Sequence, residues 1–261
     1  MTPRIDAPSN PRIAAAVKAA ASGEAMLLEG RRMIEDALDA GIAIEQMFFQ
    51  TEMSEETEDL LKRVRGEGKV RVTEVGERVL RKLSDLPSTR GVVALARPPH
   101  RTPASLSLSP LFLLLDDIQD PANVGAILRS GEAFGVSAAL LTPGCAWPFS
   151  PRALRASAGS AFRLPVCARV AAGEAVSWAR ANRIALAGAE AHAGTAPEAL
   201  ASVRPLALVI GSEGHGISPE VAAALDHRVT VPLAGRVESL NAAVAAGVLL
   251  HVLTRRPVSP G

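Results

Sequence analysis

At 261 residues, 48% hydrophobic and 21% charged, the chain has ordinary globular composition, enough for one large domain or two modest ones around packed cores. No apolar run is long enough for a membrane helix, and the opening MTPRIDAPSNPRI lacks the apolar stretch of a signal peptide, which predicts a cytoplasmic protein. A net charge of +1 excludes a global field that would draw nucleic acid, and two cysteines, Cys145 and Cys167, are too few for a disulfide framework or a metal site.

Residues 1–12 are polar and Pro-bearing, the composition of a flexible tail. The stretch 22–41 then predicts a short strand and an amphipathic helix, with Met33, Ile34, Ala37 and Leu38 on one face and Gly41 just past its end. Strand patterns follow at 44–50, 69–74 and 91–98, separated by helical patterns at 55–68 and from Gly76 to Leu86. Residues 13–98 therefore suit a small α/β domain. Residues 99–109, rich in Pro, Ser and Thr, predict a linker.

Beyond the linker, strands are expected at 111–116, 137–142, 184–188, 206–210 and 229–232. Helices are expected near 121–134, 151–158, 173–182, 219–225 and 239–255. Strands alternating with helices imply a parallel sheet covered on both faces. Charge adds little: residues 1–100 hold 15 Lys/Arg against 16 Asp/Glu, and residues 101–261 hold 13 against 11. Any phosphate contact must come from local clusters such as Lys62/Arg63/Arg65/Lys69/Arg71, Arg78/Arg81/Lys82 and Arg152/Arg155/Arg163, for each of which a solvated helix face is an equal reading. Tyrosine is absent, and Trp147 and Phe149 are the best stacking candidates, with burial the stronger expectation.

Three segments in the second half carry chemistry, each at a strand-to-helix junction. In 116–135, Asp120 can cap a helix whose first turn holds Pro121, Asn123 sits among free N–H groups, and Arg129 offers a cation to a phosphate or an oxyanion. In 206–218, Gly211, Gly214 and Gly216 let backbone approach a ligand, while Glu213 can orient a neighbour or pair with Arg129. His215 reads better as a turn histidine than as a base. In 229–250, Ser239 is a natural N-cap beside Asn241. The glycine-rich run at 211–216 is neither a dinucleotide fingerprint nor a phosphate loop.

At these residues the chain resembles the SpoU/TrmH-type RNA ribose methyltransferases of the SPOUT superfamily. The family's N-x-G-x-x-x-R is similar to Asn123, Gly125 and Arg129, its G-x-E-x-x-G to Gly211, Glu213 and Gly216, and its P-x-x-G-x-x-x-S-L-N to Pro232, Gly235, Ser239, Leu240 and Asn241. Residues 152–166 resemble the family's Ser-Ala-Gly region, and LLEGRRMIEDALDAG and LSDLPSTRGVVALARP resemble its N-terminal RNA-binding domain. Departures are Ser212, where Asn or Ala is common, and Thr89, where Gln or His is common.

The resemblance implies a methyltransferase domain over 110–257 with a deep trefoil knot, and an RNA substrate-binding domain over 13–98. It implies S-adenosylmethionine held by Gly188, Gly211, Val231, Leu233 and Leu240. It assigns Arg129, Asn123, Glu213, Ser239 and Asn241 to catalysis, and methyl transfer to a ribose 2′-hydroxyl of RNA, ribosomal RNA favoured over transfer RNA. A homodimer formed through the knotted domain is implied too. A noncatalytic RNA-binding assembly factor and a base methyltransferase are the alternatives.

Overall fold

The computed structural model describes residues 4–66, 70–84, 91–192 and 194–255, so Thr89 and Lys69 lie outside the described residues. The chain divides into two compact units, one of Met1–Pro99 with Phe149–Pro151 and the other of His100–Pro148 with Arg152–Gly261.

In the first unit, β1 (Met26–Glu29), α2 (Arg31–Asp39), β2 (Ile44–Phe49), α3 (Glu55–Gly66), β3 (Arg71–Glu74), α4 (Glu77–Leu83) and β4 (Val92–Ala96) follow a preceding helix α1 (Pro11–Ser22). The sheet order is β1-β4-β2-β3, with β4 antiparallel to both neighbours and β2 parallel to β3. Gly41 ends α2 at φ +75°, its N–H bonded to the Leu38 carbonyl, a backbone that favours glycine.

Within the expected tail, the described residues 4–12 are anchored to the fold. Ile5 is buried and pairs with Val75, its N–H donating to the Glu74 carbonyl and its own carbonyl accepting from Gly76. Asn10 caps α1, accepting from the Arg12 N–H at 2.9 Å. The missing signal was apolar weight: one isoleucine among prolines anchors the segment to the β3 edge. The helix α1 buries Ile13 and Ala16 into the core around Phe48, Val79 and Leu95.

In the second unit the strands are β5 (Leu111–Asp116), β6 (Ala139–Leu141), β7 (Val166–Cys167), β8 (Ala185–Ala189), β9 (Leu206–Gly211) and β10 (His227–Val229). All pair in parallel in the order β10-β8-β9-β5-β6-β7. The helices are α5 (Pro121–Ala133), α6 (Pro151–Ser157), α7 (Ser160–Arg163), α8 (Ala172–Ala181), α9 (Pro219–Ala222) and α10 (Ala242–Thr254). The two central strands, β5 and β9, are the longest, and LFLLL and LALVI are buried throughout, as strands covered on both faces require. Phe112 meets Trp178 edge-on at 5.2 Å in one core layer, and α10 packs on α5 in another.

The glycines of α5 serve packing. A Cβ at Gly125 would lie 2.3 Å from the Ala153 carbonyl oxygen and 3.0 Å from the Ser157 nitrogen, so α5 meets α6 backbone to backbone. Asn123 and the ends of β5 and β9 are held in place by that contact and by Asp116, which is buried and accepts from the Ser218 N–H at 2.7 Å.

Candidate functional site

The loops after β5, β8, β9 and β10 meet at the carboxyl ends of the parallel strands, where open α/β sheets place ligands. The loops after β8, β9 and β10, together with α10, line a cavity of about 460 Å³, within the roughly 300–1,000 Å³ usual for small-molecule sites. Ile210, Ile217, Val229, Ala245 and Leu249 give it an apolar wall, and Ser212, Glu213, Glu238 and Ser239 a polar rim.

The strand-end loop of β9 closes on itself. Ser212 and Gly216 exchange two backbone hydrogen bonds of 2.9 Å, and a Cβ at Gly211 would lie 2.4 Å from the Gly216 carbonyl carbon. Gly216 has φ +69°. These two glycines are required by the turn's own geometry before any ligand arrives. The Ser212 hydroxyl accepts from the His215 N–H at 3.2 Å, so serine fits this position as a turn former. His215 is an exposed turn histidine, as expected, and also lines the cavity.

Glu213, at the tip of that loop, draws three distant pieces of chain together. Its Oε1 accepts from Asn241 Nδ2 at 2.7 Å, from Asn123 Nδ2 at 3.0 Å and from the Ala242 N–H at 3.1 Å. Asn241 Nδ2 also donates to Asn123 Oδ1 at 3.0 Å. The other end of the Asn241 amide caps α10, accepting from the Ala243 and Val244 N–H groups at 3.0 and 3.2 Å. The N-cap is therefore Asn241, and the expectation that Ser239 begins the helix is corrected: α10 starts at Ala242, and Ser239 is released to the cavity rim.

Glu213 does not pair with Arg129. Arg129 lies six residues after Asn123, roughly 9 Å along the helix and about a third of a turn round it. It is exposed, with no hydrogen bond or ion pair to a described residue. By contrast Arg152 is paired with Asp120, Arg163 with Glu132, Arg63 with Asp39 and Lys62 with Asp59, which fits solvated faces for these members of the basic clusters.

Gly211, Val231, Leu233 and Leu240 all line the cavity. Gly188 does not, and its place is taken by Ala189, one residue on. The α-carbon of Gly188 faces the core, where a Cβ would meet Leu225 at 2.5 Å and Ile217 at 2.8 Å. Cavity-lining Glu190 and His192, in the loop after β8, were not singled out from the sequence because no motif marks them. Burial pushes the Cys167 thiol up to about 11 and raises that of Cys145, so both stay protonated. Arg169 stacks over the half-buried Trp147 at 4.9 Å, and Phe149 is buried.

Residues 110–251 match the model of the SpoU rRNA Methylase family, and residues 18–94 match that of the MRM3-like substrate binding domain. The chain belongs to the SpoU rRNA methylase family. It is an RNA methyltransferase of the SpoU/TrmH type. An uncharacterized tRNA/rRNA methyltransferase of Synechocystis is 33% identical over 245 residues, covering 88% of this chain and 84% of that protein. A solved RNA 2′-O ribose methyltransferase is 32% identical with a TM-score of 0.79, covering 96% of this chain and 98% of that one. The SpoU methyltransferase AviRb of Streptomyces viridochromogenes, in complex with AdoMet, is 27% identical with a TM-score of 0.83, covering 96% and 99%.

Proposed function

We propose that the protein transfers a methyl group from S-adenosylmethionine to a ribose 2′-hydroxyl of ribosomal RNA. The observation that carries the reading is the Asn123–Glu213–Asn241 clasp at the rim of a cavity whose apolar wall suits an adenine and whose polar rim suits a methionyl tail. The solved AviRb complex with AdoMet supports the cofactor, the solved ribose methyltransferase supports the target atom, and the match to the SpoU rRNA Methylase family supports ribosomal RNA. A trefoil knot through the parallel-sheet unit and a cytoplasmic location belong to the same reading. No helix among the described residues is long and apolar enough to cross a membrane.

When bound, the cofactor supplies an electrophilic methyl group. The chain's task is to align the hydroxyl with it and ease proton loss. A guanidinium is too weak an acid to serve as a free base, so Arg129 is given another role. It holds the substrate phosphate and stabilises the forming alkoxide, and its exposed position, without a partner among the described residues, leaves it open to do so. Glu213 and Asn241, whose polar atoms are turned on one another and on backbone, act as positioning residues for Asn123 and Ser239. Gly211, Val231, Leu233 and Leu240 hold the cofactor.

Incubation with radiolabelled S-adenosylmethionine and protein-free ribosomal RNA should give a 2′-O-methylated nucleotide on nuclease digestion and mass spectrometry. Labelled transfer RNA instead would reassign the substrate, and a methylated base would reassign the atom. Tight cofactor binding with no transfer to either RNA would point to a preribosomal particle. No cofactor binding would favour a noncatalytic RNA-binding assembly factor.

The protein should also be a homodimer through this unit. Val244 and Val248, one turn apart on α10, are 52% and 37% exposed, an apolar stripe on a helix whose opposite face is packed. Light scattering should return twice the chain mass of 27.1 kDa, and Val244→Asp should halve it; a wild-type monomer would refute the dimer.

A further inference from the structure

Three carboxylates stand on the cavity wall: Glu190, Glu213 and Glu238. Two are already engaged. Glu190 is ion-paired with Arg228 of β10, and Glu213 is held by the Asn123, Asn241 and Ala242 donors. Glu238 is exposed and has neither a hydrogen bond nor an ion pair with any described residue. No lysine or arginine is among the described lining residues, and the potential cations are His192 and His215. Glu190 is thus the one of the three with a described cationic partner, Glu213 is occupied by neutral donors, and Glu238 alone is left without any partner among the described residues.

We propose that Glu238 is the residue by which this site distinguishes the sulfonium cofactor from its thioether product. The inference rests on the cofactor reading above. S-Adenosylmethionine bears a sulfonium, an ammonium and a carboxylate, and so one net positive charge. When the methyl carbon bonds to the ribose oxygen, the sulfur keeps the electron pair of the broken S–C bond and the hydroxyl proton passes to solvent. S-Adenosylhomocysteine is left with no net charge.

The two ligands thus share their hydrogen-bonding groups and differ in the transferred methyl and the one positive charge lost with it. A cavity of about 460 Å³ is roughly 10 Å across, so a charge bound anywhere inside lies within about one Debye length of Glu238. The apolar residues of the lining weaken screening by water and strengthen that attraction. The neutral product gains nothing from it. Glu238 would hold the loaded cofactor and let the spent one go, and it would do so through charge alone.

Calorimetric titration of the full chain with S-adenosylmethionine and, separately, S-adenosylhomocysteine tests this. Glu238→Gln should raise the Kd for S-adenosylmethionine by about three- to tenfold, the size expected of one partly screened charge. The Kd for S-adenosylhomocysteine should stay within about twofold, and Glu238→Asp should restore most of the difference. High salt should shrink the wild-type preference and leave the Gln variant little changed.

Equal weakening of both ligands in the Gln variant would mean that the loop around Ser239 had deformed, and would overturn the proposal. An unchanged ratio of the two Kd values would overturn it as well. Wild-type protein that bound neither ligand would refute the cofactor reading itself, a result distinct from either failure of the variant.

Discussion

Arg129→Ala is expected to lower kcat by at least about 100- to 1,000-fold, the scale for losing one donor to a developing oxyanion, while the Kd for S-adenosylmethionine stays within about twofold. The split follows from position. Arg129 is outside the cavity lining and has no hydrogen bond or ion pair to a described residue, so its removal leaves the cofactor walls and the clasp untouched. Nor should the fold suffer, because an exposed helical arginine replaced by the best helix former loses no packing. Arg129→Lys keeps the charge and gives up the planar fork, so it should fall between the two. Single-turnover methyl transfer with RNA in excess reads the chemical step, and calorimetry reads the cofactor. Retained turnover in the Ala variant would remove Arg129 from the mechanism; loss of cofactor binding would make it a structural residue.

The sequence patterns that were legible are those decided within a few residues. Asp120 before Pro121 names its own helix start, and the Asp120 carboxylate indeed accepts from the Ala122 N–H. The buried runs of β5 and β9 announce a parallel sheet because both faces are covered. The helix α1 was not legible, since AAAVKAAA has too few large apolar residues to display a period, although Ile13 and Ala16 suffice to seat it. Strand β7, two residues long, gives no pattern at all.

The site was legible in its residue types and less so in their roles. Ser239 and Asn241 are both good N-caps two positions apart, and local propensity cannot choose between them. The choice is made by Glu213, far away in sequence, which grips both the Asn241 amide and the Ala242 N–H. Similarly, Gly125 and Gly211 look like loosened or ligand-facing backbone in the sequence. In the fold they answer to the Ala153 carbonyl and to Gly216, neighbours that exist only once the chain has closed. Gly188 against Ala189 is a one-residue offset of the same kind: alternate residues of a strand face opposite ways, and only the register fixes which one meets the cavity.

The clasp makes a second strong prediction, for Asn241→Asp. An aspartate keeps the oxygen that accepts from Ala243 and Val244, and a carboxylate suits a helix N-terminus, so α10 should remain capped and the melting temperature nearly unchanged. What disappears is the Nδ2 donor, which now serves both Glu213 and Asn123. In its place a second carboxylate faces Glu213 at hydrogen-bond range, and like charges that close do not both ionise without cost. The loop of Glu213 should swing away, taking the Ser239 rim and Asn123 out of register, and kcat/KM should fall by about 100-fold, as for other misplaced reacting groups. Asn241→Ala loses the same donor and the cap too, so it should add about 0.5–2 kcal/mol of instability. The pH response separates repulsion from simple loss of a bond. Protonating either the introduced carboxylate or Glu213 restores a donor between the two side chains. The Asp variant should therefore recover relative to wild type as the pH is lowered. The Ala variant should not recover. Activity in the Asp variant that matched wild type at neutral pH would show that the clasp is dispensable, and that Asn241 matters only as a cap.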